Sequence, residues 1–385
     1  MKIAKNHNII LINIDGFRKD KIELCPTLNS LKENSFYFSN MFTAAPYTFA
    51  ALHSIFSGMY PSRNGVNSYY NIFKFRKKEI TTLSELLRNN GYYTSCDIIS
   101  ESVLPNKGFD EWNLFDEESV NFKERHKKLI QRLAEKEKFF LFLHFTETHK
   151  HLVRAIVKKY KQEDNDDDYF CSISENNTRY DSYLPSCDDY IATILETVKS
   201  AGIANKTTLI FFSDHGTSVG EKKGEKLYGV YTYDYTINVF CIMNIPGEES
   251  SSTDKQCSTL DIFPTIAELT GVKLDNGFDR IQGKSVIPLI TGREVEEREI
   301  FVETGGLYGP WPSPKKHNVF CVRSQRKKLI YNDTPETWEF YNLDDDPKEI
   351  DNIYDENLSD VKNLKERLLY YLNENEINTK LTPKF

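Results

Sequence analysis

Asn8-Ile9-Ile10-Leu11-Ile12-Asn13-Ile14-Asp15-Gly16 is the stretch from which this chain can be read. Its apolar residues are continuous rather than alternating, as in a strand covered on both faces within a parallel sheet. The run ends abruptly at an acid followed by a glycine. The same grammar returns at 208–213, which stops at Asp214-His215-Gly216, and at 139–145, which ends near Glu147 and His149. A fourth run, 237–245, stops at Pro246-Gly247.

Helical patterns lie between these runs. Thr82-Leu83-Ser84-Glu85 opens like a capping box and Asn90-Gly91 closes the segment. Tyr190, Ile194, Leu195 and Val198 recur at helical spacing within 186–201, and 261–269 precedes Gly271. Strands alternating with helices predict an α/β fold with a mostly parallel central sheet flanked by helices. The texture changes near Ile300, where short strands at 319–323, 328–331 and 339–341 precede an amphipathic helix over 359–373. The expected division is a catalytic domain over 1–299 and a small C-terminal α+β subdomain over 300–385, with a short antiparallel sheet and a terminal helix.

In such sheets ligands bind beyond the carboxyl ends of the strands. Asp15, His149, Asp214 and His215 all fall at such ends, so distant segments deliver acids and imidazoles to one edge. One hard oxygen beside one imidazole in Asp214-His215 suits zinc or manganese better than calcium. Asp15 adds a second carboxylate. Thr48 opens the apolar stretch 48–57, closed by Gly58 and Pro61. Threonine is a common helix cap. The same position also favours a nucleophile, because a helix N-terminus stabilises an alkoxide and an incoming anion. A metal touching the hydroxyl would lower its pKa.

Composition narrows the partners. The 385 residues carry a net charge of −8, and their basic runs are short, which argues against nucleic acid. The 7 cysteines are scattered without a CxxC pair, so neither a zinc knuckle nor a disulfide framework is indicated. The acidic segment 163–168 lacks the glycine and terminal glutamate of a calcium loop and is expected to be a solvated insertion. No stretch reaches the ~20 apolar residues of a membrane span. Met1 to His7 is too polar for a signal peptide, so a cytoplasmic location is expected.

Landmarks in order make a family resemblance. The chain resembles the sulfatase-like branch of the alkaline phosphatase superfamily through 11–16, Cys25-Pro26-Thr27-Leu28, Ser57-Gly58-Met59-Tyr60-Pro61, Gly108-Phe109-Asp110, 213–216, Gly220-Glu221, 260–265, Gly283-Lys284-Ser285 and 339–343 with Asp346-Pro347. Counting back from Ser57-Gly58 puts Thr48 where sulfatases carry the Cys or Ser that becomes formylglycine. Threonine is a secondary alcohol, so its oxidation would give a ketone rather than that aldehyde, and no formylglycine is expected. Threonine at this position is similar to the phosphodiesterases and the phosphoethanolamine and phosphoglycerol transferases.

The resemblance therefore implies one divalent metal, manganese or zinc, held by Asp15, Thr48, Asp214 and His215. It implies that Thr48 attacks phosphorus and that His149 protonates the leaving oxygen. His151, Lys226, Arg18 and His317 are the expected substrate contacts. The expected function is a phosphodiester transferase or hydrolase working through a phosphothreonine on a small-molecule or glycan phosphoester, such as a cytoplasmic glycan precursor. The competing readings are a sulfatase without formylglycine and a metal-free pseudoenzyme acting as a binding module. Oligomeric state is not legible.

Overall fold

The computed structural model describes residues 7–148, 166–274, 278–305 and 316–382. His149 and His151 lie outside the described residues, as do residues 163–165 of the acidic segment. The quoted run forms β1 (Asn8–Ile14), buried along its whole length. It pairs in parallel with β5 (Phe139–Phe145) on one side and β6 (Thr207–Phe212) on the other. β3 (Tyr93–Ile98) and β4 (Glu111–Leu114) extend the parallel part beyond β5. Beyond β6, β7 (Asn238–Asn244) runs antiparallel, and β2 (Phe36–Phe42) is antiparallel to β7. The short β8 (Ser251–Thr253) and β9 (Cys257–Ser258) pair with β2 and complete a nine-stranded sheet.

Alternation along β1 explains why the run is apolar throughout. Ile10, Ile12 and Ile14 enter a core beneath the helices Phe122–Leu133 and Leu184–Ser200. Ile9 and Leu11 enter the opposite core, beneath Thr48–Ser57, Leu83–Asn89 and Ile262–Thr270. Each fully buried aliphatic side chain contributes about 1.5–3 kcal/mol by leaving water, so both faces reward a hydrophobe. The Thr82/Glu85 capping box forms as expected. The Leu184–Ser200 helix begins earlier than the expected 186, because Pro185 sits comfortably in a first turn that has no use for its missing N–H.

A second sheet is four-stranded and antiparallel. It orders β10 (Ile300–Thr304), β11 (Val319–Arg323), β12 (Lys327–Asn332) and β13 (Thr337–Asn342) in sequence. The helix Ser359–Glu374 packs on one face through Val361, Leu364 and Leu368. The other face meets Phe42, Val230 and Ile237 of the first sheet's flank through Val302, Val319 and Cys321. Among the described residues no helix is long and apolar enough to cross a membrane.

Candidate metal centre and nucleophile

The carboxyl ends of β1 and β6 lie side by side, and this adjacency assembles the site. Asp15, Asp214 and His215 each offer a ligand atom, all within 4.8 Å of one another, and all three residues are buried. The Asp214 backbone N–H donates to Asn13 Oδ1 at 3.0 Å, which ties the two strand ends. Gly16 and Gly216 permit the approach. A Cβ on Gly16, whose φ is +65°, would meet Thr217 Oγ1 at 3.0 Å, and one on Gly216 would meet the Tyr235 carbonyl at 2.2 Å.

The donor atoms are pre-aimed. Asp214 Oδ1 accepts the backbone N–H groups of Gly16 at 3.3 Å and His215 at 3.1 Å. Its Oδ2 is buried with no hydrogen-bond partner among the described residues. Burial, and then the Asp15 charge, raise the Asp214 pKa. His215 Nδ1 lies 2.7 Å from the Gly216 carbonyl and must donate to it. That bond leaves Nε2 to face the carboxylates, 3.7 Å from both Asp15 Oδ1 and Asp214 Oδ2. Ligands about 2.1 Å from an ion stand roughly 3–3.5 Å apart, so this set fits a transition-metal ion after small adjustment.

Thr48 completes the group. Its hydroxyl lies 3.2 Å from Asp15 Oδ2 and 3.2 Å from His215 Nε2. It is the first residue of its helix, and it alone of the four is half-exposed rather than buried. The four residues expected from sequence thus converge on one point. His53, farther along the same helix, donates to the Phe49 carbonyl at 2.7 Å, and burial depresses its pKa to about 4. It is a packing residue.

The expected substrate contacts fare differently. Arg18 is buried, paired with both oxygens of Asp20 at 2.9 Å and with Glu221 at 2.5 Å, and donates to the Thr217 carbonyl at 2.8 Å. It braces the loops after β1 and β6 against each other. His317 has both ring nitrogens engaged, Nδ1 by Glu303 and Nε2 by the Tyr47 phenol. Lys222 contacts the Glu349 carbonyl and the Tyr233 ring, and Lys223 pairs with Asp167. Lys226 is half-buried on the same loop.

Sequence reasoning missed His144 of β5. Its Nε2 lies 2.8 Å from Asp15 Oδ2, and the ring is buried. Tyr228, whose ring centroid is 4.4 Å from that of His215, was also missed. A signal for His144 existed: a polar residue inside an otherwise apolar buried strand. Asn13, its partner in register, carries the same signal.

The profile of the sulfatase family matches residues 7–272. The chain belongs to the sulfatase family. A second profile, the C-terminal region of N-sulphoglucosamine sulphohydrolase, matches residues 227–376. A sulfatase of Formosa agariphila is 28% identical over 203 residues, covering 47% of this chain and 36% of that protein. An arylsulfatase of Volvox carteri is 26% identical over 219 residues, covering 49% and 33%. The matched stretch thus spans about a third of these relatives' length. A protein solved in complex with its substrate D-glucosamine-2-N,6-O-disulfate superposes with a TM-score of 0.77 at 16% identity, covering 97% of this chain and 99% of that one. The phosphonate monoester hydrolase of Agrobacterium radiobacter gives 0.76 at 16% identity, with 96% of each chain covered. At such identities the likeness shows the sulfatase-like fold.

Proposed function

We propose that this sulfatase-family chain is a metal-dependent hydrolase of tetrahedral oxyanion esters, sulfate esters foremost, with Thr48 as the attacking group. The observation that carries this reading is the Thr48 hydroxyl, 3.2 Å from Asp15 and from His215 on a partly exposed residue at the start of a helix. Asp15, Asp214, His215 and Thr48 would hold one divalent ion, manganese or zinc by their donor chemistry, which supplies Lewis acidity to the ester and to the hydroxyl. Asp15 accepts the Thr48 hydroxyl hydrogen bond, leaving an oxygen lone pair for the substrate side. The first-turn N–H groups, which an α-helix leaves without intrahelical partners, would favour the charge that develops on the ester oxygens. His149 keeps its proposed part as proton donor to the leaving group, and His151 and Lys226 their proposed part in holding the substrate, whereas Arg18 and His317 are committed to protein partners. The sulfatase names of the relatives favour sulfate as the ester.

A phosphodiester transferase or hydrolase is the second reading, and threonine itself supports it. A formylglycine hydrate can expel sulfate by collapsing to the aldehyde, and Thr48 cannot. A threonine ester must be resolved by water or an acceptor hydroxyl at the central atom, which is ordinary chemistry for phosphorus.

Side-by-side rates on p-nitrophenyl sulfate and bis-p-nitrophenyl phosphate, with manganese or zinc supplied, separate the two. The lead reading expects the higher kcat/KM on the sulfate and no turnover by Thr48→Ala. A preference for the diester transfers the assignment to the second reading. No turnover together with no metal binding leaves a binding module.

A further inference from the structure

The residue before the nucleophile is tied to the far sheet. Tyr47 is extended at the helix start (φ −158°, ψ 146°), and no side chain caps that start. Its ring stacks on Tyr69 at 4.6 Å, and its phenol lies 2.6 Å from His317 Nε2. His317 Nδ1 lies 2.8 Å from Glu303 Oε2. The carboxylate can only accept, so Nδ1 donates to it and Nε2 accepts the Tyr47 hydroxyl. Tyr47, His317 and Glu303 are all buried.

Glu303 also reaches the other end of the same helix. The Ser62 hydroxyl donates to its Oε2 and the Ser62 N–H to its Oε1 at 3.4 Å, just past the helix terminus at Gly58. The Tyr371 hydroxyl donates to Oε1 at 2.5 Å, and the Glu303 N–H donates to the Ala44 carbonyl at 3.0 Å. Glu303 on β10 thus holds the turn after the Thr48 helix and the terminal helix through its carboxylate, and the segment before Thr48 through His317 and its own N–H. A buried carboxylate stripped of these donors would be costly, so the arrangement is held as a unit.

We infer that Glu303 and His317 are positioning residues, which hold the Thr48 helix in register with the metal centre through Tyr47 at one end and Ser62 at the other. The inference rests on the reading of Thr48 as the nucleophile. Both side chains are committed to protein partners, His317 to Glu303 and Tyr47, and Glu303 to His317, Ser62 and Tyr371. A hydroxyl displaced by a fraction of an ångström loses rate while binding is spared.

Tyr47→Phe tests this, since it keeps the ring on Tyr69 and deletes only the link to His317. On whichever ester the wild type turns over, kcat is expected to fall about ten-fold with KM within about two-fold. Hydrogen exchange, read without substrate or metal, supplies an arm independent of chemistry. The Ala51 amide, bonded to the Tyr47 carbonyl at 3.1 Å, is expected to exchange about ten-fold faster in the variant. Glu303→Gln is the second variant and should show the same pair of changes. Unchanged exchange at Ala51 in both variants overturns the clamp. Faster exchange with unchanged kcat overturns its service to Thr48, as does a rise in KM alone. A wild type silent on every ester, with exchange still accelerated in the variants, refutes the hydrolase reading and leaves the clamp standing.

Discussion

His144 donates its Nε2–H to Asp15 Oδ2 across 2.8 Å, from the strand beside the one that carries the acid. The bond fixes which way the Asp15 carboxylate faces. Groups that orient a metal ligand in this way typically contribute 10–100-fold to affinity or activity. His144→Ala is therefore expected to weaken manganese or zinc binding about ten-fold, measured by calorimetric titration of the folded protein. Wild-type affinity in the variant would show that Asp15 needs no such support.

Metal should stabilise the fold. At a hundredfold excess over Kd a single ion adds about 2.7 kcal/mol, which for a chain of this size moves Tm by roughly 3 °C. Asp214→Asn keeps an oxygen for the Gly16 and His215 amides but removes the ligand charge, and the shift should vanish. A thermal scan with and without the ion decides the matter, and an equal shift in both proteins would place the ion elsewhere.

Glu225 gives stability a pH dependence of unusual sign. Burial raises its carboxyl pKa to about 7, an effect offset in part by hydrogen bonds from the Tyr231 N–H, the Tyr235 hydroxyl and the Val230 N–H. The unfolded chain titrates near the ordinary 4.5. Between those values the folded state binds more protons, so stability falls as pH rises through the window and levels off above about 7. Glu225→Gln should remove that slope and be more stable than wild type at pH 8, by on the order of 1–3 kcal/mol. Urea melts at pH 5 and pH 8 measure it. Equal destabilisation at both pH values would mean that the site needs a charge.

Thiol chemistry offers a check on packing. Of the cysteines only Cys171 is exposed, and the other six are buried. Ellman's reagent should modify one thiol quickly in the native protein and all 7 after denaturation. Rapid reaction of Cys25 or Cys187, which lie in the core beneath the Leu184–Ser200 helix, would contradict the packing described.

Legibility in the sequence followed burial on two faces. β1, β5, β6 and β7 declared themselves because strands covered on both sides have no room for polar residues. β3 did not, since it carries Thr94, Ser95 and Asp97, and the buried Asp97 is satisfied by Arg125 at 2.6 Å and His126 at 3.1 Å. β2 was obscured by Ser39 and Asn40, where its register with β7 shifts. Asp15, Asp214 and His215 were readable because strand ends announce a binding edge. His144, Arg18 and His317 were misjudged or missed for a common reason. Whether a polar side chain faces the ligand or another protein group depends on lateral neighbours, which only register and tertiary packing decide.

The Glu303 hub orders events in time. Every proposed metal ligand is encoded by residue 215, whereas the carboxylate that braces the Thr48 helix comes at 303, and its partner Tyr371 later still. A chain emerging from the ribosome would therefore carry Asp15, Asp214 and His215 well before the group that braces the Thr48 helix.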